Sequence, residues 1–269
     1  MTIAIPIRVE SEDRLYNIRA VLGYLNRNLR TNVALYEVFS DRPKLESMVE
    51  GLVNLSVTHI KHQQEDDVVF HRTRYLNHMI GQCKTKVVAN YDSDVLLPVE
   101  SYVDCVRMIM SGSADFVYPY MFGMGQKKLQ YSKWYNDRNK ELLYYAMVRF
   151  LETFDLSHLD QEDTFLAVDE SKYGHCLFAS TESYIDAFAE NEYFISYAPE
   201  DIERCMRFQK LGYVVRWLDD RFVYHLEHER THDSSKDNLY FSRNEHLFNY
   251  LSSLTREELL VFYTRNMFI

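Results

Sequence analysis

The 269-residue sequence is poor in several things, and each scarcity excludes something. Its eight glycines and five prolines are scattered, so no Pro/Gly/Ser-rich linker divides the chain, and no internal repeat or low-complexity tract is present. The four cysteines, Cys83, Cys105, Cys176 and Cys205, form no CxxC pair and no disulfide framework. That pattern suits core thiols in a reducing compartment. Cationic residues are outnumbered, 30 Lys and Arg against 40 Asp and Glu, and no basic stripe stands out. The net charge of −10 argues against a nucleic-acid partner and against broad attachment to an acidic membrane surface. No stretch approaches the roughly 20 apolar residues of a membrane span. The opening MTIAIPIRVE is too short an apolar run for a signal peptide and carries a proline and charges. Gly123 and Gly125 are not followed by the Gly-Lys-Ser/Thr of a phosphate loop, and neither a G-x-S-x-G nor a Cys/His pairing of protease type occurs. The expectation is a soluble cytoplasmic protein without a transmembrane segment; peripheral contact with a membrane stays open.

What is present is ordinary globular material, 46% apolar and 26% charged, with an unusual load of 21 Tyr and 16 Phe. Such rings build cores and also serve as flat platforms for sugars or bases. Residues 2–8, 33–39, 55–60 and 86–91 read as strands; 13–30, 43–51 and 69–83 read as helices between them. This β-α-β-α-β-α-β rhythm predicts an α/β fold with a mostly parallel central sheet and flanking helices. Beyond Pro98 the rhythm changes. Residues 99–112 are helical and 115–118 form a strand. Residues 120–172 are long, polar and aromatic, with a helix at 139–153. A strand at 176–180, a helix at 181–190, a second helix at 202–212 and a strand pair at 213–226 follow. One domain spanning 1–269 is the simplest division. It comprises a first half at 1–98, a second half at 99–230 with an insertion at 119–172, and a helical tail at 231–269.

The stretch VVANYDSDVLLP, residues 87–98, places Asp92 and Asp94 at the carboxyl end of a buried strand, where ligands of open α/β sheets bind. Period two puts both side chains on one side. Two carboxylates so close repel unless a cation lies near, and hard oxygen ligands suit Mn²⁺ or Mg²⁺ shared with a phosphate. The other reading of the pair is a helix cap and a solvated neighbour.

Strand, DxD, apolar residues and proline together resemble the metal site of glycosyltransferases with the GT-A fold. Phe70-His71-Arg72-Thr73-Arg74-Tyr75-Leu76-Asn77 is similar to the F-x-R-x-K-x-L-N stretch of β-1,4-galactosyltransferases and related bacterial family 2 enzymes, and Ile5-Pro6-Ile7-Arg8 to their I-P-F-R turn. The resemblance covers roughly residues 3–98 and 173–230. It implies that Pro6, Arg8, Phe70 and Arg72 contact the nucleotide of a UDP-sugar, that Asp92 and Ser93 lie at the diphosphate, and that Asp92 and Asp94 hold the metal. Both arginines also sit where an anion is easily met, at a strand end and near a helix start.

Residues 190–201, ENEYFISYAPED, end at the start of a helix whose apolar face is Ile202, Cys205, Met206 and Phe208. Acids there suit the helix dipole regardless of function. The segment Pro199-Glu200-Asp201 also resembles the G-P-E-D or W-G-G-E-D of the same enzymes, which implies Asp201 as general base and Glu200 as a sugar contact. Gly174 resembles the first glycine of the family's G-G strand start, beside which the donor sugar lies; His175 stands where the second glycine would be. In RFVYHLEHER, residues 221–230, the resemblance makes His225 or His228 a further metal ligand, His225 preferred for its place at a strand end. In the aromatic loop at 120–138, Trp134 or Tyr135 would stack on sugar as part of an acceptor-side wall or lid; the other reading of the loop is an interface or a locally packed excursion.

These readings converge on a metal-dependent, inverting transferase. It would move a hexose or N-acetylhexosamine from a UDP-sugar to a saccharide or lipid-linked saccharide, in bacterial surface polysaccharide synthesis. A sugar nucleotidyltransferase and a catalytically silent sugar-binding protein of the same fold are the alternatives.

Overall fold

A computed structural model describes residues 1–65, 68–129, 140–160, 167–230 and 235–269. Strand β1 (Thr2–Arg8) is buried along almost its whole length, as a strand covered on both faces must be, and its apolar sequence TIAIPIR supplies that burial. Helix α1 (Glu12–Asn28) opens on Ser11, whose hydroxyl accepts from the Arg14 amide, and returns the chain to strand β2 (Thr31–Phe39). Helix α2 (Glu46–Glu50), strand β3 (Leu55–Gln63), helix α3 (Arg72–Gly81) and strand β4 (Val87–Tyr91) complete the alternating half. Strands β1, β2, β3 and β4 are mutually parallel, β1 lying between β2 and β4. Its pairing with β4 ends at Ala4, two residues before Pro6, which has no N–H with which to extend a ladder.

After the Asp92–Asp94 turn come strand β5 (Val95–Leu96), helix α4 (Val99–Met110), strand β6 (Phe116–Tyr118), strand β7 (Gly123–Leu129), helix α5 (Lys140–Thr153) and strand β8 (Ala167–Ser171). Strand β9 (Cys176–Ser180), helix α6 (Thr181–Asp186), helix α7 (Glu200–Leu211), strand β10 (Val215–Trp217) and strand β11 (Val223–Leu226) precede the tail helices α8 (Phe241–Ser253) and α9 (Arg256–Arg265). The main sheet runs β10-β6-β9-β4-β1-β2-β3, with β9 antiparallel to both its neighbours. A second sheet, β5-β11-β7-β8, lies where the rhythm of the sequence changes.

Three expectations are corrected. The strand pair at 213–226 is no pair: β10 joins β6 in the main sheet and β11 joins β5 and β7 in the second, with Asp220 at a φ of 54° between them. The helix expected at 181–190 stops at Asp186, because Phe188 and Ala189 take left-handed backbone angles that no helix continues. The stretch 120–172, read as one helix in a loop, also contributes β7 and β8; Trp134 and Tyr135 lie outside the described residues.

The main core runs from Ile3 to Leu226, and a smaller cluster, Phe194, Leu251, Leu259 and Tyr263, seats the tail. Burying a side chain of that size contributes about 1.5–3 kcal/mol. The Tyr263 hydroxyl donates to Glu203 at 2.6 Å, and the Arg207 guanidinium lies 4.6 Å from the Tyr263 ring, so α9 is fastened to α7. Among the described residues, no helix is long and apolar enough to cross a membrane.

Candidate active site

The run VVANY forms β4 and delivers Asp92, Ser93 and Asp94 to the turn beyond its carboxyl end. The two aspartates diverge there. Asp92 accepts from Arg72 Nη2 at 2.6 Å, and the same nitrogen donates to Asn90 Oδ1 at 2.8 Å. Asp94 faces β11, which brings His225 opposite Val95. His228 Nε2 lies 3.0 Å from Asp94 Oδ2, and His225 Nε2 lies 3.7 Å from Oδ1. Ser93 is buried in the turn.

Both histidines are oriented from behind. His225 Nδ1 is 3.0 Å from Glu227 Oε1 and His228 Nδ1 is 2.8 Å from the Glu229 carbonyl, so each ring turns Nε2 toward Asp94. Such outer partners fix the tautomer of a metal-binding imidazole. Ligand atoms of Asp94, His225 and His228 all lie within 4.8 Å of one another, and Asp94 Oδ1 is buried without a hydrogen-bond partner. A carboxylate and two imidazoles so placed fit a divalent cation. The two histidines, read from sequence as alternatives, thus converge on the same carboxylate. Burial alone would raise the Asp94 carboxyl, but His225 and His228 hold it well below its usual range. Burial alone would lower His225, but Asp94 and Glu227 hold it up at about 9. Asp92 is raised by burial, which Arg72 opposes and Asp94 and Asp201 reinforce.

The second acidic pair comes from the start of α7. Pro199 precedes the first turn, and Glu200, Asp201 and Glu203 crowd it. Asp201 Oδ1 accepts from Arg204 Nη2 at 2.5 Å. Arg204 is itself buried, donating to both oxygens of Glu190 at 3.1 Å and to the Tyr173 carbonyl at 3.3 Å. The other oxygen, Asp201 Oδ2, faces Gly174: a Cβ built there would stand 3.3 Å from it. Glu200 Oε2 is buried without a partner. Burial, reinforced by the neighbouring Asp201, pushes the Glu200 carboxyl well above its usual range. Burial thus favours the neutral form of one acid in this adjacent pair.

The turn Tyr173-Gly174-His175 links the two clusters. The His175 carbonyl accepts from the Asp92 amide at 2.9 Å, and the His175 ring lies 5.2 Å from that of His225. Burial and His225 push His175 down to about 3, so its ring is neutral. A cavity of about 650 Å³ opens on this turn and on Pro199–Ile202. Its far wall is the tail helix α8, through Phe241, Glu245, Phe248 and Asn249. Phe241 is stacked on Tyr197, with ring centroids 6.1 Å apart at 19°.

A second cavity, about 520 Å³, lies at the carboxyl ends of β1 and β2 and includes Arg8, Glu37, Arg42 and Lys44. Arg8 donates to Glu10 and to the Val68 carbonyl, both at 2.7 Å, and its guanidinium lies 5.7 Å from the Phe70 ring. Pro6 is buried within β1. Arg72 Nη1 is likewise a buried polar atom without a partner among the described residues.

The sequence reading missed Glu190, Arg204 and the α8 wall. The signal for Arg204 was available: it falls three residues after Asp201 on a helix, the spacing of facing side chains. Nothing in the sequence pairs it with Glu190.

No protein-family model and no curated protein matches the chain. Solved structures do. TarS 1–349 from S. aureus, in complex with UDP-GlcNAc, aligns with a TM-score of 0.55 at 12% identity, over 96% of this chain and 68% of that one. The mannosyltransferase PcManGT from Pyrobaculum calidifontis, in complex with GDP-Man and Mn²⁺, gives 0.50 at 13% identity, over 84% and 56%. GalNAc-T7 with UDP, GalNAc and Mn²⁺ gives 0.54 at 12% identity, over 85% and 43%. The chain thus spans between under half and about two thirds of the proteins it is similar to. The likeness establishes the fold, that of the GT-A glycosyltransferases.

Proposed function

We propose that this GT-A chain is a metal-dependent, inverting glycosyltransferase. It takes a hexose or N-acetylhexosamine from a UDP-sugar to a saccharide or lipid-linked saccharide acceptor, in the cytoplasmic synthesis of bacterial surface polysaccharide. One observation carries the reading. The Asp94-His225-His228 cluster and the Asp201 carboxylate stand on either side of the Tyr173–His175 turn, each with the opposing polarity that an in-line displacement needs. Solved structures of similar fold are of proteins in complex with UDP-GlcNAc, with GDP-Man and Mn²⁺, and with UDP, GalNAc and Mn²⁺.

Asp94, His225 and His228 would hold the cation. Two imidazoles in the set favour Mn²⁺ over the harder Mg²⁺. When bound, the ion supplies positive charge against the departing diphosphate. Arg72 adds a fixed cation beside Asp92 with one nitrogen still free to donate. Asp201 takes the proton of the attacking hydroxyl at Oδ2, its Oδ1 being occupied by Arg204. Glu200, whose neutral form burial favours, offers a hydrogen bond to a sugar oxygen. The nucleoside lies at the cavity between β1 and β2, beside Arg8 and Phe70. The acceptor enters the larger cavity, whose Tyr197 and Phe241 rings suit the apolar face of a sugar.

Asp94 Oδ1, Arg72 Nη1 and Glu200 Oε2 are all buried and unpartnered among the described residues. An unmet buried polar group is unfavourable by about 1–3 kcal/mol, which counts against a silent scaffold. Asp201→Asn is the test. It should leave UDP-sugar affinity in the presence of Mn²⁺ nearly unchanged and cut transfer by about 10²–10⁴-fold. Loss of donor binding in that variant would show the residue to be structural and withdraw the role of base.

A further inference from the structure

His175 occupies a backbone conformation that its side chain disfavours, with φ at 67°. Its main chain performs a task any residue would perform, accepting the Asp92 amide through its carbonyl. A glycine would do so without the steric conflict. The imidazole takes no part in that contact, and nothing among the described residues hydrogen-bonds its nitrogens. The ring packs edge-on to Tyr120 at 6.1 Å and tilted against His225 at 5.2 Å, and it has no hydrogen-bond partner among the described residues. It lines the 650 Å³ cavity and is half-buried. Its place is also specific. One residue before it, Gly174 abuts the proton-accepting oxygen of Asp201; on its other side stands His225 of the cation cluster. In a displacement between those two groups, the space between them belongs to the sugar being moved.

We propose that His175 recognises the transferred hexosyl group of the nucleotide sugar by a hydrogen bond from its imidazole. The inference rests on the glycosyltransferase reading and adds a specificity residue to it. An unpartnered ring nitrogen satisfied only when a suitably placed sugar hydroxyl or acetamido group arrives discriminates between epimers, because the wrong sugar leaves the nitrogen unpaired. The strain in the empty protein is of the kind that collects at ligand clamps.

The test is calorimetric titration, with Mn²⁺ present, of the unaltered protein, His175→Gly and His175→Asn. The probes are UDP, UDP-Glc, UDP-Gal, UDP-GlcNAc and UDP-GalNAc, and the quantity read is the ratio of each sugar-nucleotide affinity to that of UDP. In His175→Gly the ratio for the preferred sugar should fall about tenfold, the worth of one such hydrogen bond. UDP itself should bind within about twofold of the unaltered protein, and the melting temperature should be equal or higher, since glycine relieves the backbone. His175→Asn tolerates the same backbone region and keeps a donor, so it should fall between the two. An unchanged ratio overturns the proposal. So does equal weakening of UDP and every UDP-sugar, which would place the ring on the diphosphate or the cation. If the unaltered protein binds none of the probes, the glycosyltransferase reading fails and takes the proposal with it.

Discussion

Gly174→Ala is the smallest change that separates the two sides of this site. The new methyl would stand 3.3 Å from Asp201 Oδ2, inside ordinary contact distance by a few tenths of an ångström. Asp201 has little room to yield, because its other oxygen is held at 2.5 Å by Arg204, and Arg204 is gripped by both oxygens of Glu190. The carboxylate must therefore turn rather than retreat. A misplacement of about 1 Å in a reacting group reduces rate about 10²-fold, so a shift of a few tenths should reduce transfer by about three- to tenfold. Stability should hardly move. Gly174 does not require a left-handed backbone, and restricting the unfolded chain favours alanine by about 0.4–1 kcal/mol, which offsets the contact. The assay pairs the transfer rate at saturating donor with a UDP-sugar titration in Mn²⁺ and a melting curve. The structure predicts a lower rate, unchanged donor affinity and a melting temperature within about 2–4 °C. If donor affinity falls while the saturated rate holds, Gly174 faces the donor sugar, as the family resemblance implies, and the placement of the proton-accepting oxygen against it is refuted.

Two further outcomes follow from the same geometry. Asp94→Ala removes the carboxylate on which both histidines converge, so UDP should stabilise the variant equally with and without Mn²⁺. At one hundred times its Kd the nucleotide should stabilise the unaltered, Mn²⁺-loaded protein by about 2.7 kcal/mol; a melting curve of Asp94→Ala that still responds to the metal would remove the cluster from the site. Glu200→Gln addresses the buried acid. A carboxyl whose folded pKa is raised above its unfolded value contributes stability that is complete below that unfolded value, near 4.5, and is lost as pH rises toward the folded one. Urea midpoints of the two proteins should therefore converge near pH 4.5, with the unaltered protein losing ground to Glu200→Gln as the pH is raised; parallel profiles would show that burial does not hold Glu200 protonated.

The alternating half of the fold is legible because each element carries its own local signal. The run TIAIPIR is apolar between its polar ends Thr2 and Arg8, and β1 occupies those seven residues; VVANY ends where Asp92 begins. The second sheet has no such signal. Strand β5 is two residues long, and β7, GMGQKKL, combines two glycines with two lysines and no alternation of character. These strands exist through their partners. Tyr224 and His225 pair with Leu96 and Val95 on one side and with Lys127 and Lys128 on the other, a contact between segments far apart in the chain. The same pairing turns His225 toward Asp94, while His228, three residues on, lies against the same carboxylate. Trp134 and Tyr135 of the aromatic loop lie outside the described residues, and among the described residues the cavity's far wall is α8, which carries no sequence signal for that place. Its place is set by Phe194, Leu251, Leu259 and Tyr263 meeting across the chain.

The deeper reason the site is hard to read in one dimension lies beneath its floor. Arg72 joins Asp92 to Asn90; Asn90 Nδ2 donates to Glu190 at 3.2 Å; Glu190 grips Arg204; Arg204 holds Asp201. Tyr184 donates to Glu190 as well, and Asn77 pins the Glu190 backbone at both its amide and its carbonyl. Every charge in this chain has an opposite neighbour, as buried charges require. Its effect is to tie the turn after β4 to the first turn of α7 without any covalent or strand connection between them. It also divides the labour of the aspartate pair. With Asp92 committed to Arg72, its carboxylate braces this buried network, and Asp94 is left to face the histidines. Two acids that look equivalent in the sequence are thereby given different partners, one held by Arg72 and the other facing His225 and His228.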